Sequence, residues 1–259
     1  MLPTQLNSSP PENANEETQI RIFAGDERYK GISVDSLQAL AKVVQQLQPN
    51  HLLERCFYQE MNLVKWGERD ILIFPGGRCS DWNELLSEKK QLKIFDWVKK
   101  GGRICAICAG AYYCSARSSY EKIQRIRNIA LFSGECQGPI YSNTIKVVKV
   151  RWEENNQEGY VTMIQGGRLL PDVELSQECE ALARFTEEPH QGEIAVIACR
   201  KGEGLAILST CHWELDAEDL EGLKHFFPQA QILEQQSNLK KSQQFRQQCL
   251  RDIFDRLFM

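Results

Sequence analysis

Three residues that lie far apart in the sequence are of the types that act together in cysteine-dependent amide cleavage. Cys108 stands in a Cys-Ala-Gly run, and His212 and Glu214 are separated by one residue near the end of the chain. A cysteine nucleophile needs a base that takes its proton, and the base needs a partner that orients it. Cys108, His212 and Glu214 are therefore a candidate catalytic triad of nucleophile, base and orienting acid.

The residues around Cys108 predict that its side chain stands at a sharp corner of the backbone. Residues 103–107 are an apolar run that is typical of a buried strand, and the residues after Cys108 can form a helix. A strand that turns into a helix at small residues such as Ala109 and Gly110 has the geometry of a nucleophile elbow. A cysteine at this corner, in front of a helix N-terminus, is held partly as thiolate.

His212 and Glu214 follow a second apolar strand, predicted over residues 204–210. If the chain stays extended after this strand, the two side chains project to the same side, because residues two apart share a face. Glu214 can then hold the imidazole of His212 in one tautomer. His212 can take the thiol proton and later donate it to a leaving amine.

A third predicted strand, over residues 70–74, runs directly into Pro-Gly-Gly. The backbone amides of Gly76 and Gly77, together with the amide of Ala109, are candidates for an oxyanion hole at the same edge of the sheet. The alternative is that the two glycines only form a turn.

The pattern of elements predicts an α/β fold. Strand and helix patterns alternate over the first half, which predicts a doubly wound, mostly parallel sheet flanked by helices, and the second half adds antiparallel strands. We expect a disordered polar tail over residues 1–18 and a single domain over 19–259. The other predicted strands cover residues 19–25, 51–58, 145–152, 159–164, 181–185 and 193–199, and the predicted helices cover 34–47, 82–100, 216–227 and 238–258.

Composition excludes several classes of function. The chain of 259 residues has a formal net charge of −4, which gives no reason to expect nucleic acid or an anionic membrane as partner. We expect a cytoplasmic protein, because no apolar run approaches the roughly 18 residues of a membrane span and the N-terminus has no signal-peptide core. The ten cysteines are then expected to be reduced thiols. We expect no metal and no cofactor, because the four histidines are scattered.

Four motifs in order give the chain a resemblance to a known family. They are Phe-Pro-Gly-Gly at 74–77, Cys-Ala-Gly-Ala-Tyr at 108–112, Phe-Ser-Gly-Glu-Cys-Gln-Gly-Pro at 132–139 and Gln-Gly-Gly at 165–167. Together with the late His-x-Glu they resemble the class I glutamine amidotransferase-like superfamily, and more closely the amidotransferase-like N-terminal domain of eukaryotic biotin-protein ligases. The similarity spans residues 20–215. It implies a flavodoxin-like fold and a Cys-His-Glu triad.

The resemblance also implies a pocket beside the elbow. Cys136 either lines this pocket or packs in the core, and both alternatives stay open. Gln165, Gly166 and Gly167 are expected beside the same pocket. The chain departs from the family at Ala106, where the common elbow has glycine, and it lacks the Gly-Arg-Gly-Arg type of loop that holds biotinyl-adenylate. We therefore expect a stand-alone domain without ligase activity.

Three functions fit these observations. The first is a cysteine hydrolase or amidotransferase for a small amide substrate, with a separate synthetase or ligase as partner if ammonia is transferred. The second is a non-catalytic protein that binds a metabolite or partner in the same pocket, and the third is a redox sensor that uses Cys108. The apolar stripe of the C-terminal helix is expected either in the core or in a homodimer contact.

Overall fold

A computed structural model describes residues 18–61, 63–141, 145–175, 178–223 and 229–259. Seven α-helices and thirteen strands occur in these described ranges. The helices are α1 (Val34–Leu47), α2 (Trp82–Leu85), α3 (Glu88–Lys99), α4 (Ala109–Cys114), α5 (Asp219–Gly222), α6 (Gln229–Lys241) and α7 (Gln243–Phe258). The strands are β1 (Ile20–Phe23), β2 (Leu53–Cys56), β3 (Ile71–Phe74), β4 (Arg103–Ile107), β5 (Ser115–Tyr120), β6 (Ile123–Ile126), β7 (Phe132–Gly138), β8 (Ile145–Trp152), β9 (Glu158–Ile164), β10 (Arg168–Pro171), β11 (Cys179–Phe185), β12 (Ile194–Lys201) and β13 (Gly204–Ser209).

Five strands form the parallel part of the sheet, in the order β2-β1-β3-β4-β13. The sheet continues through antiparallel neighbours β12, β10 and β7, and β7 pairs with β5 in parallel. The strands β8 and β9 form the predicted hairpin, which joins the rest through β11. The predicted fold class, a mostly parallel doubly wound sheet with added antiparallel strands, is confirmed.

The alternation of side chains along the parallel strands produces a core on each face of the sheet. Ile71 and Ile73 of β3 enter a first core, in which α1 and α7 pack. Leu72 and Phe74 enter a second core, in which α3 and α4 pack. These helices cover both faces, so the ligand-accessible part of the parallel sheet is its carboxyl edge.

The helix α1 begins where its sequence predicts. Ser33 is the N-cap residue, and its hydroxyl accepts a hydrogen bond from the Ser36 amide at 3.3 Å. Leu37, Leu40 and Val44 recur at helical spacing and are buried against the sheet. The cap and the apolar stripe together place the first turn of α1 beside the ends of the parallel strands.

The C-terminal region contains two helices where one was predicted. The helix expected over 238–258 is divided at Ser242, whose hydroxyl accepts a hydrogen bond from the Tyr160 amide of β9 at 2.9 Å. The apolar stripe of α7, including Leu250 and Ile253, is buried in the first core. Of the two alternatives for this stripe, the structure shows core packing.

Other differences concern short elements. The helix predicted over 82–100 is divided into α2 and α3. Of the helix predicted over 216–227, the described residues 216–223 contain only the short α5, and residues 224–227 lie outside the described ranges. The strands β5, β6, β7 and β10 were not predicted. The predicted tail lies outside the described residues except for Thr18. Within the described part of the chain, no helix has the length and hydropathy that crossing a membrane requires.

The burial of α7 against the core leads to a prediction about the stability of the fold. Ile253 is 3% exposed, whereas Ile126 at the sheet edge is 85% exposed. We expect Ile253→Ala to lower the free energy of unfolding by about 2–5 kcal/mol, because it removes buried methyl groups and leaves a cavity. Ile126→Ala, the matched control, is expected to change it by about 0.5 kcal/mol or less. Urea unfolding of both variants tests this, and equal losses would contradict docking of α7 on the core.

Candidate active site

The elbow lies at the centre of the parallel sheet. Strand β4 lies between β3 and β13, so Cys108 leaves the sheet at its carboxyl edge. Its backbone has φ 50° and ψ −105°, in the positive-φ region that L-residues seldom adopt. The Cys108 amide donates to the Ser209 carbonyl at 2.7 Å, which ties the corner to the neighbouring strand. Strain of this kind persists only where the surrounding structure enforces it, and it is frequent at functional sites.

Sterics explain why position 110, just after the corner, is a glycine. A Cβ atom on Gly110 would lie 2.6 Å from the Phe74 carbonyl oxygen and 2.8 Å from the Phe74 Cβ. The first turn of α4 therefore rests directly on the end of β3. This contact sets the position of Cys108 relative to the Pro-Gly-Gly loop that follows β3.

The histidine and the glutamate of the predicted triad lie next to each other. The His212 amide donates to the Thr162 carbonyl at 2.7 Å, which anchors the extended segment after β13. The Nδ1 of His212 is 2.6 Å from Oε1 of Glu214, and both side chains are almost completely buried. The imidazole is also close enough to Cys108 for the charge of a Cys108 thiolate to raise the pKa of His212.

The charges in this arrangement favour a protonated imidazole. Burial by itself lowers the pKa of His212, but the negative charge of Glu214, that of a Cys108 thiolate, and the hydrogen bonds to both groups outweigh burial. The balance raises the pKa of His212 to about 10. The imidazole is therefore held as an imidazolium beside the Glu214 carboxylate. The Cys108 thiol donates a hydrogen bond to the Ile164 carbonyl oxygen, which lies 3.4 Å from Sγ.

Ser36 on α1 joins this network and was not predicted from the sequence. Its hydroxyl is fully buried and donates to Oε1 of Glu214 at 2.7 Å. The same hydroxyl accepts a hydrogen bond from the Gly76 amide at 3.0 Å. Ser36 therefore connects the acid of the candidate triad with the Pro-Gly-Gly loop. A serine inside a helical pattern gives no sequence signal for this contact.

The predicted oxyanion donors divide into two groups. The Gly76 amide is occupied by Ser36, and a Cβ atom on Gly76 would lie 2.5 Å from Cε1 of His212, so this glycine makes room for the imidazole. Within the described residues, the amides of Gly77 and Ala109 have no hydrogen-bond acceptor. Gly77 and Ala109 are therefore the amides that are free to meet an oxyanion.

Two of the residues expected around the pocket, Gln165 and Gly167, meet at the hydroxyl of Tyr112. This hydroxyl donates to the Gln165 carbonyl at 3.2 Å, and a Cβ atom on Gly167 would lie 2.8 Å from the same hydroxyl. The side-chain oxygen of Gln165 accepts from Tyr120 at 2.9 Å, while a Cβ atom on Gly166 would lie 2.3 Å from the Thr210 carbonyl. The three residues 165–167 thus form a close backbone contact beside α4.

Cys136 is fully buried in the second core. Burial raises the pKa of its thiol well above the usual value, and the neighbouring thiols Cys79 and Cys108 raise it further. Cys136 therefore packs beneath the site as a neutral thiol. In the described part of the chain, no group of three or more His, Cys, Asp or Glu side chains is placed to hold a metal ion.

A buried arginine supports the segment that carries Glu214. The guanidinium of Arg246 on α7 donates to the carbonyls of Trp213 at 3.2 Å and Leu215 at 2.5 Å, on either side of Glu214. Arg246 is 5% exposed. The C-terminal helix thus fixes the backbone of the acid, a role that no sequence motif indicates.

Comparison with protein families gives one match to nearly the whole described chain. A family model described as the N-terminal part of biotin-protein ligase matches residues 19–259. The biotin–protein ligase of Schizosaccharomyces pombe is 26% identical over 168 residues, which cover 57% of this chain and 26% of the ligase. An uncharacterized protein of Chlamydia muridarum is 25% identical over 202 residues, which cover 71% of this chain and 77% of that protein. The match thus spans about a quarter of the ligase.

Two solved glutamine amidotransferases share the fold. The enzyme from Methylobacillus flagellatus has a TM-score of 0.59 at 12% identity, over 94% of this chain and 96% of that chain. The enzyme from Thermotoga maritima has a TM-score of 0.55 at 12% identity, over 93% of this chain and 99% of that chain. At these identities the likeness shows the fold alone, which is that of the class I glutamine amidotransferases.

The contacts of Ser36 predict that it positions the acid. We expect Ser36→Ala to lower the free energy of unfolding by about 1–3 kcal/mol, because the Gly76 amide and the Glu214 carboxylate each lose a buried partner. We also expect slower alkylation of Cys108 by iodoacetamide, because the released carboxylate no longer holds the imidazole beside the sulfur.

The matched control is Ser115→Ala, which removes another fully buried serine that donates only to the Ala111 carbonyl. Peptide mass spectrometry of timed alkylation gives the rate at Cys108 in each variant. An unchanged rate in Ser36→Ala, or the same change in both variants, would contradict a positioning role.

Proposed function

This chain belongs to the biotin-protein ligase N-terminal family, and on that premise we propose that it is a cysteine-dependent amide hydrolase related to the glutamine amidotransferases. In this proposal Cys108 is the nucleophile, His212 is the acid and base, and Glu214 orients His212. The substrate is a small molecule with an amide or a related carbonyl group. Activity of the ligase itself is not part of the proposal.

One observation carries the proposal. Nδ1 of His212 lies 2.6 Å from Oε1 of Glu214, and the imidazole is close enough to Cys108 for the charge of that group to raise its pKa, although the three residues come from two separate strand ends. The histidine and the glutamate are buried, so their interaction is not screened by water. A nucleophile, its base and an orienter in hydrogen-bonded series are the arrangement that acyl transfer requires.

The proposed reaction has two steps. The Cys108 sulfur attacks the amide carbonyl, the oxyanion meets the amides of Gly77 and Ala109, and the imidazolium of His212 gives its proton to the leaving amine. A thioester to Cys108 remains. His212 then takes a proton from water, the resulting hydroxide attacks the thioester, and a carboxylic acid leaves as the free thiol is restored. If the first product is ammonia, a separate synthetase or ligase is proposed as its acceptor.

A second function is supported by the low exposure of Cys108. Cys108 is only 6% exposed, and its thiol donates to the Ile164 carbonyl. A protein that only binds a metabolite or a partner in this pocket would also accommodate a thiol in this state.

All ten cysteines are free, in agreement with the cytoplasmic location that we propose for either function.

Substitutions in the triad separate catalysis from binding. We expect Cys108→Ala to abolish hydrolysis of glutamine or another amide, and His212→Ala to come close to it, because the residues of a triad act as a unit and lose about 10⁴-fold or more. Glu214→Gln is expected to lose less, since the imidazole remains. Ammonia release from glutamine and a panel of simple amides measures these effects.

The matched control is Cys105→Ala, which removes a buried thiol three residues from the nucleophile and is expected to retain activity. A binding protein gives a different pattern, in which Cys108→Ala binds ligand like the wild type and Cys108→Trp fills the pocket and blocks binding. If Cys108→Ala matches the wild type in every hydrolysis assay, the enzymatic proposal is wrong.

A further inference from the structure

Cys179 and Cys199 are direct partners in the ladder between β11 and β12. Their sulfurs lie 3.0 Å apart, and both thiols are free. Both residues pack in the second core, where Cys199 is fully buried and Cys179 is partly exposed. Two thiols in contact across neighbouring strands are a reactive pair that the proposed hydrolysis does not use.

The pairing of the two strands is compatible with a bond between these sulfurs. The Arg200 amide donates to the Glu178 carbonyl at 2.7 Å, so the neighbouring residue pair is the one with backbone hydrogen bonds. Cys179 and Cys199 are therefore a pair without them, in which Cα atoms lie about 4.5 Å apart and side chains are closest. Disulfides span Cα distances of about 4.4–6.8 Å. A disulfide can thus form here without a change of strand register.

The two thiols differ in how readily they ionise. The hydrogen bond with Cys199 lowers the pKa of the Cys179 thiol to about 7, although burial opposes this, and the charge of Lys201 lowers it further. The contact with Cys179 and burial both raise the pKa of the Cys199 thiol. Cys179 is therefore partly thiolate at neutral pH, while Cys199 keeps its proton. Oxidation follows thiolate character and exposure, so Cys179 is the residue that reacts first.

Other thiols of this chain lack the combination. Cys79 is also partly exposed, but burial raises the pKa of its thiol. Burial raises the pKa of Cys105 to about 12. Within the described ranges, which include all ten cysteines, no other two cysteine side chains are hydrogen-bonded to each other. The contact between β11 and β12 is therefore a specific feature and does not simply follow from the high cysteine content.

The strand that carries Cys179 connects two parts of the sheet. β11 pairs with β12 on one side and with β8 of the β8–β9 hairpin on the other. Thr162 on this hairpin provides the carbonyl that accepts from the His212 amide at 2.7 Å. A covalent link between β11 and β12 therefore restrains the strand through which this support of His212 joins the rest of the sheet.

We propose that Cys179 and Cys199 are a redox site that forms a reversible disulfide between β11 and β12, with a hydroperoxide as oxidant. The Cys179 thiolate attacks the peroxide, the O–O bond breaks, a sulfenic acid forms, and the leaving oxygen takes up a proton. The Cys199 sulfur then attacks the sulfenic sulfur, the S–O bond breaks, and water leaves with the Cys199 proton. The two thiols lose two electrons, which reduce the peroxide. A dithiol returns both thiols by exchange and is itself oxidised to a disulfide.

Peptide mass spectrometry of the wild-type protein detects this bond directly. Trypsin cleaves after Arg184, so Cys179 and Cys199 lie on separate peptides. We expect hydrogen peroxide to link these two peptides in the folded protein about tenfold faster than it oxidises Cys79, whose thiol is mostly protonated. Dithiothreitol should separate the peptides again. If no link forms, or if it forms no faster in folded than in urea-unfolded chain, the redox site is wrong.

Single substitutions test the order of the two thiols. We expect Cys199→Ser to stop at the sulfenic acid of Cys179, which dimedone traps, because the second thiol is missing. We expect Cys179→Ser to leave the buried Cys199 unlabelled by dimedone. The matched control Cys79→Ser removes another partly exposed thiol and should form the link at the wild-type rate. Dimedone labelling of Cys199 in Cys179→Ser, or loss of the link in Cys79→Ser, would overturn the assignment.

Urea unfolding tests whether the link restrains β11. A disulfide limits the conformations of the unfolded chain, so we expect the oxidised wild type to unfold at a higher urea concentration than the reduced wild type. Dithiothreitol should return the midpoint to the reduced value, and peroxide-treated Cys179→Ser should show no such increase. Equal midpoints of oxidised and reduced wild type, or the same increase in Cys179→Ser, would contradict a restraint between β11 and β12.

Discussion

The carboxylate of Glu214 has no exposure to water, and this buried charge constrains the residues around it. A buried carboxylate is tolerated only with hydrogen-bond donors or a cation beside it, because it has lost its hydration. Its Oε1 receives two donors, from His212 and from Ser36, which lies 178 residues away in the sequence. Helix α1, the segment after β13 and the loop after β3 are thereby held at one point. The same carboxylate, with the nearby sulfur, keeps the imidazole charged.

Close backbone contacts, in addition to the Glu214 carboxylate, position the residues of the site. Cys108 leaves the sheet beside the segment that carries His212 because it accepts a positive φ, and because Gly110 lets α4 rest on the end of β3. The absence of a side chain at Gly76 makes room for His212. Hydrogen bonding thus determines which residues of the site pair, and Gly76, Gly110 and the strained Cys108 allow them to approach one another. The Ala106 of this chain, where the family's common elbow has glycine, is fully buried on β4 and does not prevent this geometry.

The parallel strands β1, β3, β4 and β13 could be predicted because they are short, mostly apolar runs. Cys108, His212 and Glu214 were found because they directly follow such runs. The strand β5, in contrast, contains serines and an arginine and has no alternating apolar pattern. The division at Ser242 depends on a hydrogen bond to β9, and the role of Ser36 depends on residues distant in sequence. Local sequence patterns do not indicate such contacts, which can be identified only from the three-dimensional structure.

The protonation state of His212 tests the electrostatic core of this account most directly. Nitrogen-15 NMR of the imidazole reports whether both ring nitrogens carry a proton. Because the pKa is raised to about 10, above the unperturbed value of about 6.5, the ring should stay doubly protonated at neutral pH and lose a proton only as the pH rises through that range. The same ring should titrate at lower pH in Glu214→Gln. A wild-type imidazole that is already neutral at pH 7, or that titrates identically in Glu214→Gln, would contradict the account.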